Sequence, residues 1–550
     1  MDLRPNNDGV SLDRVAATVG APDLDAGQGG TAVELASIIV RGICVDSRKI
    51  QAGDLFAALP GENVHGARFA EAAVRDGAVA LLTDRAGAAL VGPELCPMLI
   101  VADPRAQVGA AASQIYGDPS ADLLLFAVTG TNGKTTTTWL LEAGLREAGH
   151  ITGLVGTVET RIAGAPVPSV RTTPEAPELH ALLAVMRERG VTAVAIEVSS
   201  HALALGRVDG CLFDVAGFTQ FGSDHLDFHG TVDHYFNAKA RLFTPDHARA
   251  GVVCVDSAGG RRLLGLTRIP TTSLSTDSRG SASQPGDRAD WQVSKVTSRA
   301  SGGYAFTLSG PGQTTSDVAV ALPGRFNIAN ASLALAMLQT AGVDEHEART
   351  GIEKCRGVPG RMEAIDGGQG FVALVDYAHT PDALDAVLTS LRPDVAKRLI
   401  VVMGCGGDRD PTKRGSMGEV AATLGDIVIV TDDNPRFENP AAIRAAVLAG
   451  ARSVMSAHTA RIEEIAGRAK AMARAVAIAG PGDAVVVAGK GHEQGQEIDG
   501  HVYPFDDRVV LREALLGLVG NDDDVQRGVG GGVEANGLTP EDRPRPQEEK

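Results

Sequence analysis

Apolar and polar positions alternate along this chain in a repeating pattern: a short buried-strand run, a glycine- or charge-bearing turn, then a helical stretch. The clearest example is ADLLLFAVTGTNGKTTTTWLLEAGLREAG, residues 121–149. An apolar run from Leu123 to Val128 predicts a strand, Gly130, Asn132 and Gly133 predict a turn, and the Leu/Ala/Glu-rich remainder predicts a helix. Further strands are expected at Val191–Ile196, which ends on Glu197, and at Leu212–Phe218. Upstream, Ile43–Val45, Leu55–Leu59, Ala78–Leu82 and Met98–Val101 predict a small α/β unit. Downstream, Val372–Val375, Leu399–Met403, Ile427–Val430 and Ala484–Ala488 each empty into a charged loop, with helical patterns between them. Such a repeat predicts a parallel sheet whose loops gather at the carboxyl edges of the strands.

The expected fold class is therefore α/β with three domains. These are a small N-terminal α/β domain (31–119), a central phosphate-loop domain with a mostly parallel sheet (120–359) and a C-terminal Rossmann-like α/β domain (360–520). A flexible N-terminal segment (1–30) and a disordered tail (521–550) are expected to flank them, because both are polar and rich in Gly, Asp or Pro. The turn Gly357–Gly360 reads as a hinge between the last two domains. No G-x-G-x-x-G follows any strand of the third domain, which disfavours dinucleotide binding there.

Composition narrows the function. A net charge of −17 argues against a nucleic-acid-binding surface. No run of 18 apolar residues offers a membrane span, and the N-terminus lacks the layout of a secretory signal. Six cysteines without paired spacing indicate neither a zinc site nor a disulfide framework, and free thiols in a reducing cytoplasm are the simplest reading. The chemistry is carried by the turn at Gly130–Thr136. Strand, glycine loop and helix start in that order make a phosphate-binding site, where backbone N–H groups and the helix N-terminus face the anion. Lys134 would reach the β/γ-phosphates of a nucleotide and Thr135 would meet Mg²⁺. Glu197, at the carboxyl edge of its strand, stands where a Mg²⁺ ligand belongs in such a fold. Read alone, Asp46-Ser47-Arg48 is as well a solvated turn, the Asp224–His229 cluster a set of satisfied polar residues, and Lys239 a surface charge whose stem snorkels.

In order along the chain stand DSR (46–48), GTNGKTT (130–136), TTPE (172–175), EVSSHAL (197–203), DHLDFHG (224–230) and KARLF (239–243). GRFNIAN (324–330), VPGRME (358–363), DYAHTPD (376–382), GGDRD (406–410), DNPR (433–436) and GKGHE (489–493) follow. Together they resemble the Mur ligases, ATP-dependent enzymes of peptidoglycan precursor synthesis that form amide bonds, over roughly residues 39–515. The resemblance implies ATP and Mg²⁺ as cofactors, with Thr135, Glu197, His225 and Lys239 serving two Mg²⁺ ions. It implies Lys134, Glu197, His225 and Lys239 as catalytic residues, with Lys239 carbamylated by CO₂. It implies ATP contacts from Gly130, Thr131, Asn132, Gly133, Lys134, Thr135 and Thr136, with Asn327 at adenine, Arg361 near the phosphates and Asp376 at the ribose. A UDP-muramoyl dipeptide, UDP-N-acetylmuramoyl-L-alanyl-D-glutamate, would fall to Ser47, Thr172, Thr173, Ser199 and Arg207. DNPR implies meso-diaminopimelate as the incoming amino acid, held by Arg409, Asp433, Asn434, Pro435, Arg436, Gly489 and Glu493. Arg436 would be left unpaired by a substrate without a distal carboxylate.

The implied partners are these small molecules and transient contacts with other cell-wall enzymes, with no nucleic acid and no membrane insertion. Gln220-Phe221 and Leu205 depart from the family pattern. Two alternatives remain: a folylpolyglutamate-synthetase-like ligase, and a nucleotide-binding scaffold that has lost its chemistry. The DSR segment and DNPR speak against the first, and the intact Lys134, Glu197, His225 and Lys239 against the second.

Overall fold

The computed structural model of the chain describes residues 4–21, 23–25, 32–61, 63–168, 171–222, 224–277, 289–299, 302–454 and 460–527. Among the described residues three large sheets, each with its own helices, follow one another along the chain, with two further two-stranded pairs, Val10–Ser11 with Ile39–Val40 and Gly495–Ile498 with His501–Pro504.

The first is five-stranded, in the order Asp23–Asp25, Met98–Ile100, Ala78–Thr83, Asp54–Ala57, Gly42–Cys44. Its pairs are parallel except the outer one, Asp23–Asp25 with Met98–Ile100. The segment expected to be loose at the N-terminus is in part built into this domain. Val10–Ser11 pairs antiparallel with Ile39–Val40, and Leu12–Thr18 is a helix with Leu12 and Val15 fully buried. Its few apolar residues, Leu12, Val15, Ala16 and Val19, fall on one helical face, a pattern too short to stand out among polar neighbours. An ion pair from Arg4 to the buried Asp54 ties the preceding residues down. Residues 26–31 lie outside the described part.

The central sheet has eleven strands. The strand Leu124–Thr129 lies in its middle, between Ala193–Glu197 and Phe213–Phe218, parallel to both. Its buried residues alternate between two apolar layers, Phe126 and Val128 to one side and Leu125 and Ala127 to the other. A strand covered on both faces needs an unbroken apolar run rather than an alternating one. The less informative stretch 251–320 extends the same sheet through Thr271–Ser275, Trp291–Ser298, Tyr304–Ser309 and Thr315–Val320. Most of the polar excursion expected at Ser275–Asp290 lies outside the described residues. The helix Phe326–Thr340 packs against the sheet and against the helix Lys134–Glu147 and is buried on nearly all sides. That burial explains its near-continuous Ala/Leu/Met composition.

The C-terminal sheet has six strands in the order Glu363–Ala364, Val372–Asp376, Ala484–Ala488, Leu399–Met403, Ile427–Val430, Arg461–Glu464. All four expected strands are present and parallel. Arg461–Glu464 had no apolar run to announce it, because it is an edge strand with half-exposed side chains. The last strand of this sheet in chain order, Ala484–Ala488, inserts between the first two of the predicted series, so the loops after Asp376, Met403 and Ala488 open on one crevice. A fully buried ion pair, Arg468–Asp507 at 2.6 Å, fastens the final helix beneath that crevice. This helix runs Asp507–Arg527, past the expected start of the disordered tail; 528–550 lie outside the described residues.

Truncating the buried Leu12 should cost about 3 kcal/mol of N-terminal domain stability. Urea unfolding followed by a probe in that domain would measure it, and a Leu12→Ala protein as stable as the parent would return this helix to a peripheral role.

Candidate active site

The turn after the strand Leu124–Thr129 is forced by two glycines in the left-handed region, Gly130 at φ +146° and Gly133 at φ +90°. A Cβ on Gly130 would stand 1.9 Å from Thr219 Oγ1, and one on Gly133 would stand 2.5 Å from Asn330 Oδ1. Only a bare backbone fits there, and the following N–H groups open the helix Lys134–Glu147. A concave set of N–H donors at a helix N-terminus suits the phosphates of a nucleotide. The side chain of Thr131 serves the protein instead: its hydroxyl meets Tyr235 Oη at 3.0 Å and accepts from Gly222 N at 3.0 Å. The carbonyl of Asn132 accepts from Thr219 Oγ1, and Thr136 is buried in the first helical turn.

Two lysines converge on one oxygen. Lys134 Nζ donates to the Gly130 carbonyl at 3.0 Å and to that of Thr131 at 2.9 Å, while Lys239 Nζ donates to the same Gly130 carbonyl at 2.7 Å. Lys239 comes from the helix Val232–Ala240, is 1% exposed, and lies 4.6 Å from the centre of the Tyr235 ring. Burial, and then the neighbouring Lys134 charge, push its pKa well below the ordinary lysine value. Burial likewise lowers that of Lys134. The bland reading of Lys239 as a snorkelling surface charge is therefore wrong.

Facing them is Glu197, fully buried at the end of its strand. Its Oε2 accepts from Thr135 Oγ1 at 3.0 Å and from Thr157 Oγ1 at 2.9 Å, and its Oε1 accepts from Thr157 N at 2.9 Å. A hydroxyl and a carboxylate beside a phosphate cradle are hard oxygen donors of the kind Mg²⁺ takes, with the remaining positions left to water and phosphate. Among the described residues no three His, Cys, Asp or Glu side chains form a preformed metal cage. Thr157 was missed by the sequence analysis, since nothing in GTV marks it.

His225 sits beside this group in the left-handed region, at φ +52°. Its Nε2 is 3.4 Å from Asp224 Oδ2, and its N–H donates to Asp224 Oδ1. His201 meets the His225 ring edge-on at 4.7 Å between centroids and stacks on Phe228 at 4.2 Å. Burial lowers the pKa of His225, and burial together with the adjacent histidines lowers that of His201 to about 4. Both rings are thus neutral near pH 7. The departure Phe221 fills space against Tyr235 and Phe236, and the neighbouring Gln220 contributes its carbonyl to Thr131 N.

Four residues expected at a second substrate are strung along the same strand end. Thr173 Oγ1 donates to the Glu197 carbonyl at 2.8 Å and accepts from Ser199 N at 3.2 Å. Arg207 donates to the Thr173 carbonyl and pairs with Glu175 at 2.9 Å, and Thr172 meets the Thr157 hydroxyl at 3.0 Å. Ser47 belongs to the first domain, in the short turn Ser47–Lys49. Its turn, capped by Asp46, is docked on the central domain through Lys49–Glu178 at 2.8 Å.

The residues expected at the nucleotide are held by their own surroundings. Asn327 donates to the Pro323 carbonyl at 2.7 Å and accepts from Asn330 at 2.8 Å. Asp376 is buried, accepting from Met362 N at 2.7 Å and Ala378 N at 2.8 Å, so it pins the inter-domain connection to the C-terminal sheet. Burial raises its pKa. The Arg361 guanidinium lies over the Tyr377 ring at 4.3 Å, and its buried Nε has no hydrogen-bond partner among the described residues.

In the C-terminal crevice, Asn434, Glu493 and the unforeseen Lys490 form a triangle, flanked by Asp433. A Cβ on Gly489 would stand 2.7 Å from Asp433 Oδ2. After Pro435, Arg436, at φ +51°, donates to Glu497 at 3.0 Å and to the Gly407 carbonyl at 2.6 Å. The expectation that Arg436 would be unpaired without a distal carboxylate is thereby corrected, because Glu497 already neutralises it. Arg409 is exposed at the rim. Lys490 lay inside the GKGHE motif and was legible as a motif residue. Arg468, which backs Asp433 at 3.9 Å, carried no signal.

The chain matches three family descriptions in order: Mur ligase family, catalytic domain, over 39–116; Mur ligase middle domain over 128–338; and Mur ligase, glutamate ligase domain, over 360–491. It is 49% identical over 490 residues to the UDP-N-acetylmuramoyl-L-alanyl-D-glutamate--2,6-diaminopimelate ligase of Streptomyces avermitilis, covering 89% of this chain and 95% of that protein. A solved structure of a UDP-N-acetylmuramoyl-L-alanyl-D-glutamate--2,6-diaminopimelate ligase superposes with a TM-score of 0.65 at 31% identity, covering 95% of this chain and all of that one. Mycobacterium tuberculosis folylpolyglutamate synthase complexed with ADP shares the fold at a TM-score of 0.56 and 20% identity, over 70% of this chain and 92% of that one.

Replacing Lys134 by alanine should leave the fold intact and lower nucleotide turnover by about 10²-fold or more, the usual loss for one preorganised charge at a transferring phosphate. Phosphate release with circular dichroism as the fold control measures this, and undiminished turnover would remove the loop from the chemistry.

Proposed function

Because the chain belongs to the Mur ligase family, we propose that it adds meso-2,6-diaminopimelate to the D-glutamate carboxylate of UDP-N-acetylmuramoyl-L-alanyl-D-glutamate, turning ATP into ADP and phosphate. The single observation that carries the chemistry is the meeting of Lys134, Lys239 and Thr135 with the buried Glu197 at one strand edge. The 49% identity to a diaminopimelate ligase carries the choice of substrates. A folylpolyglutamate-type reading is weaker, since that likeness covers 70% of this chain against 95% for the diaminopimelate ligase.

In this reading a carboxylate oxygen of the dipeptide attacks the γ-phosphorus of ATP, ADP leaves, and an acyl phosphate forms. The amine of the incoming amino acid then adds to the acyl carbon. The tetrahedral adduct loses phosphate and a proton to leave the amide. Both steps concentrate negative charge at the loop, so positioning and electrostatic stabilisation supply most of the rate. The N–H groups after Gly130 and the Lys134 ammonium hold the β/γ-oxygens. Thr135 and Glu197 would hold one Mg²⁺ on the nucleotide, and Glu197 and His225, helped by a carbamylated Lys239, would serve a second beside the acyl phosphate, where the ions would neutralise phosphoryl charge.

Lys239 is suited to carbamylation. Its lowered pKa supplies a neutral amine, which adds to CO₂ to give a carbamate and release one proton. The conversion also replaces the second of two lysine amines on the Gly130 carbonyl by an anionic carbamate. Thr172, Thr173, Ser199 and Arg207 hold the dipeptide beside the loop, with Ser47 reaching the UDP end from the first domain. Asn327 and Arg361 contact the nucleotide, and Asp376 does so at the ribose while keeping the connection in place. Asn434, Arg436, Gly489 and Glu493, with Asp433 and Pro435 shaping the turn and Arg409 at the rim, receive the amino acid. Closure about Gly357–Gly360 would keep water from the acyl phosphate. Among the described residues no helix is long and apolar enough to cross a membrane. Such an enzyme works where its nucleotide substrates are made, in the cytoplasm, and its contacts with other cell-wall enzymes would be transient.

Phosphate release with ATP, Mg²⁺ and the UDP-muramoyl dipeptide tests the reading, with meso-diaminopimelate, L-lysine and L-glutamate offered in parallel. Release with diaminopimelate alone is expected; release with lysine keeps the ligase and discards the substrate, and silence with all three discards both. Lys239→Ala should be nearly inactive and partly rescued by short carboxylates such as acetate or formate. An inactive variant without rescue, or no loss of activity at all, would remove the carbamate.

A further inference from the structure

The loop after the strand Ala484–Ala488 carries Lys490, whose side chain is 0% exposed. Its Nζ donates to Asn434 Oδ1 at 2.8 Å and to Glu493 Oε2 at 2.8 Å, and Asn434 Nδ2 donates to the same Glu493 oxygen at 2.9 Å. Asn434 Oδ1 also accepts from Glu497 N at 3.0 Å. These three side chains close a triangle in which the donors decide every orientation. A flipped Asn434 amide would set its NH₂ against the Lys490 ammonium and the Glu497 N–H, so the carboxamide has one allowed setting. Glu493 is then held through Oε2 alone. Its Oε1 takes no hydrogen bond among the described residues, and its side chain is one-third exposed at the crevice.

We propose that Lys490 is a positioning residue for the amino-acid substrate: its buried ammonium locks Asn434 and Glu493 into one register and leaves Glu493 Oε1 presented to the ammonium of the incoming amino acid. This rests on the function proposed above. The lysine does not touch substrate; it acts through its two partners. Charge supports the role. Without Lys490, Glu493 would share the crevice with Asp433 and Glu497, and an uncompensated carboxylate beside two others would repel the carboxylates of a zwitterionic substrate. With Lys490 in place, Glu493 is locally neutralised and still offers an acceptor. Burial adds rigidity, because a fully enclosed ammonium satisfied by two fixed oxygens has no alternative partner in solvent. The backbone reinforces the same geometry, since Glu493 N donates to the Lys490 carbonyl at 3.0 Å and Gly489 N donates to the Asp376 carbonyl at 3.1 Å.

The test is steady-state kinetics of the full chain with ATP, Mg²⁺, the UDP-muramoyl dipeptide and meso-diaminopimelate. Lys490→Met keeps the length and removes the charge. It should raise KM for diaminopimelate at least tenfold while KM for ATP stays within twofold. Lys490→Arg, which keeps the charge, should raise it less. Combining Lys490→Met with Asn434→Ala should do no more harm than the worse single change, because both act on one unit. Equal rises in both KM values, an unmoved KM for diaminopimelate, or additive losses would overturn the proposal. If Lys490→Met does not fold, Lys490→Arg decides by the same comparison of KM values. The parent protein separates the two readings. A parent silent with diaminopimelate sinks the proposed function, whereas an active parent whose variants keep its KM sinks this inference alone.

Discussion

Two lysine amines hydrogen-bond to the carbonyl oxygen of Gly130, and a buried carboxylate, Glu197, stands across from them bound to Thr135. Like charges at one acceptor in a dry site are costly, so the arrangement persists only if burial suppresses one of them or an anion is placed between. The lowered pKa of Lys239 meets the first condition and a nucleotide phosphate the second. Much of the central domain serves to hold these few atoms. Gly130 must be glycine because Thr219 occupies the space of any Cβ, and Glu197 is at the right height because its strand pairs in parallel with Leu124–Thr129, residue for residue.

The third domain reaches this centre through a short, heavily fastened connection. Asp376 accepts the N–H of Met362, and a Cβ on Gly360 would stand 2.1 Å from His492 N. The connection and the loop carrying Lys490 therefore touch backbone to backbone. Arg361 sits at that junction, and its buried Nε has no hydrogen-bond partner among the described residues.

In the crevice of the third domain, charges are balanced within the protein itself. Arg436 is paired with Glu497, Lys490 with Glu493, and Arg468 with Asp507. Selectivity in such a site cannot come from a single unpaired arginine. It comes from which hydrogen-bonding atoms remain after the internal pairs are made, and those are set by geometry rather than by composition.

Much of this was legible in the chain alone. The phosphate loop, the strand ending on Glu197 and the four strands of the third domain are local: each is an apolar run broken by glycine, proline or charge, and local sterics dictate the result. The family resemblance rested on such local motifs as well. Elements without a local signature were not legible. The helix at Leu12–Thr18 is too short to show its period among polar residues, and the edge strand Arg461–Glu464 has no apolar run. The partners of the site residues could be decided only by tertiary structure, because Thr157 with Glu197, Lys239 with Gly130 and Lys490 with Asn434 are 40, 109 and 56 residues apart. Sequence sets which groups are available and where the chain must turn. Which donor finds which acceptor, and which charge loses its water, follows from the packing of distant strands.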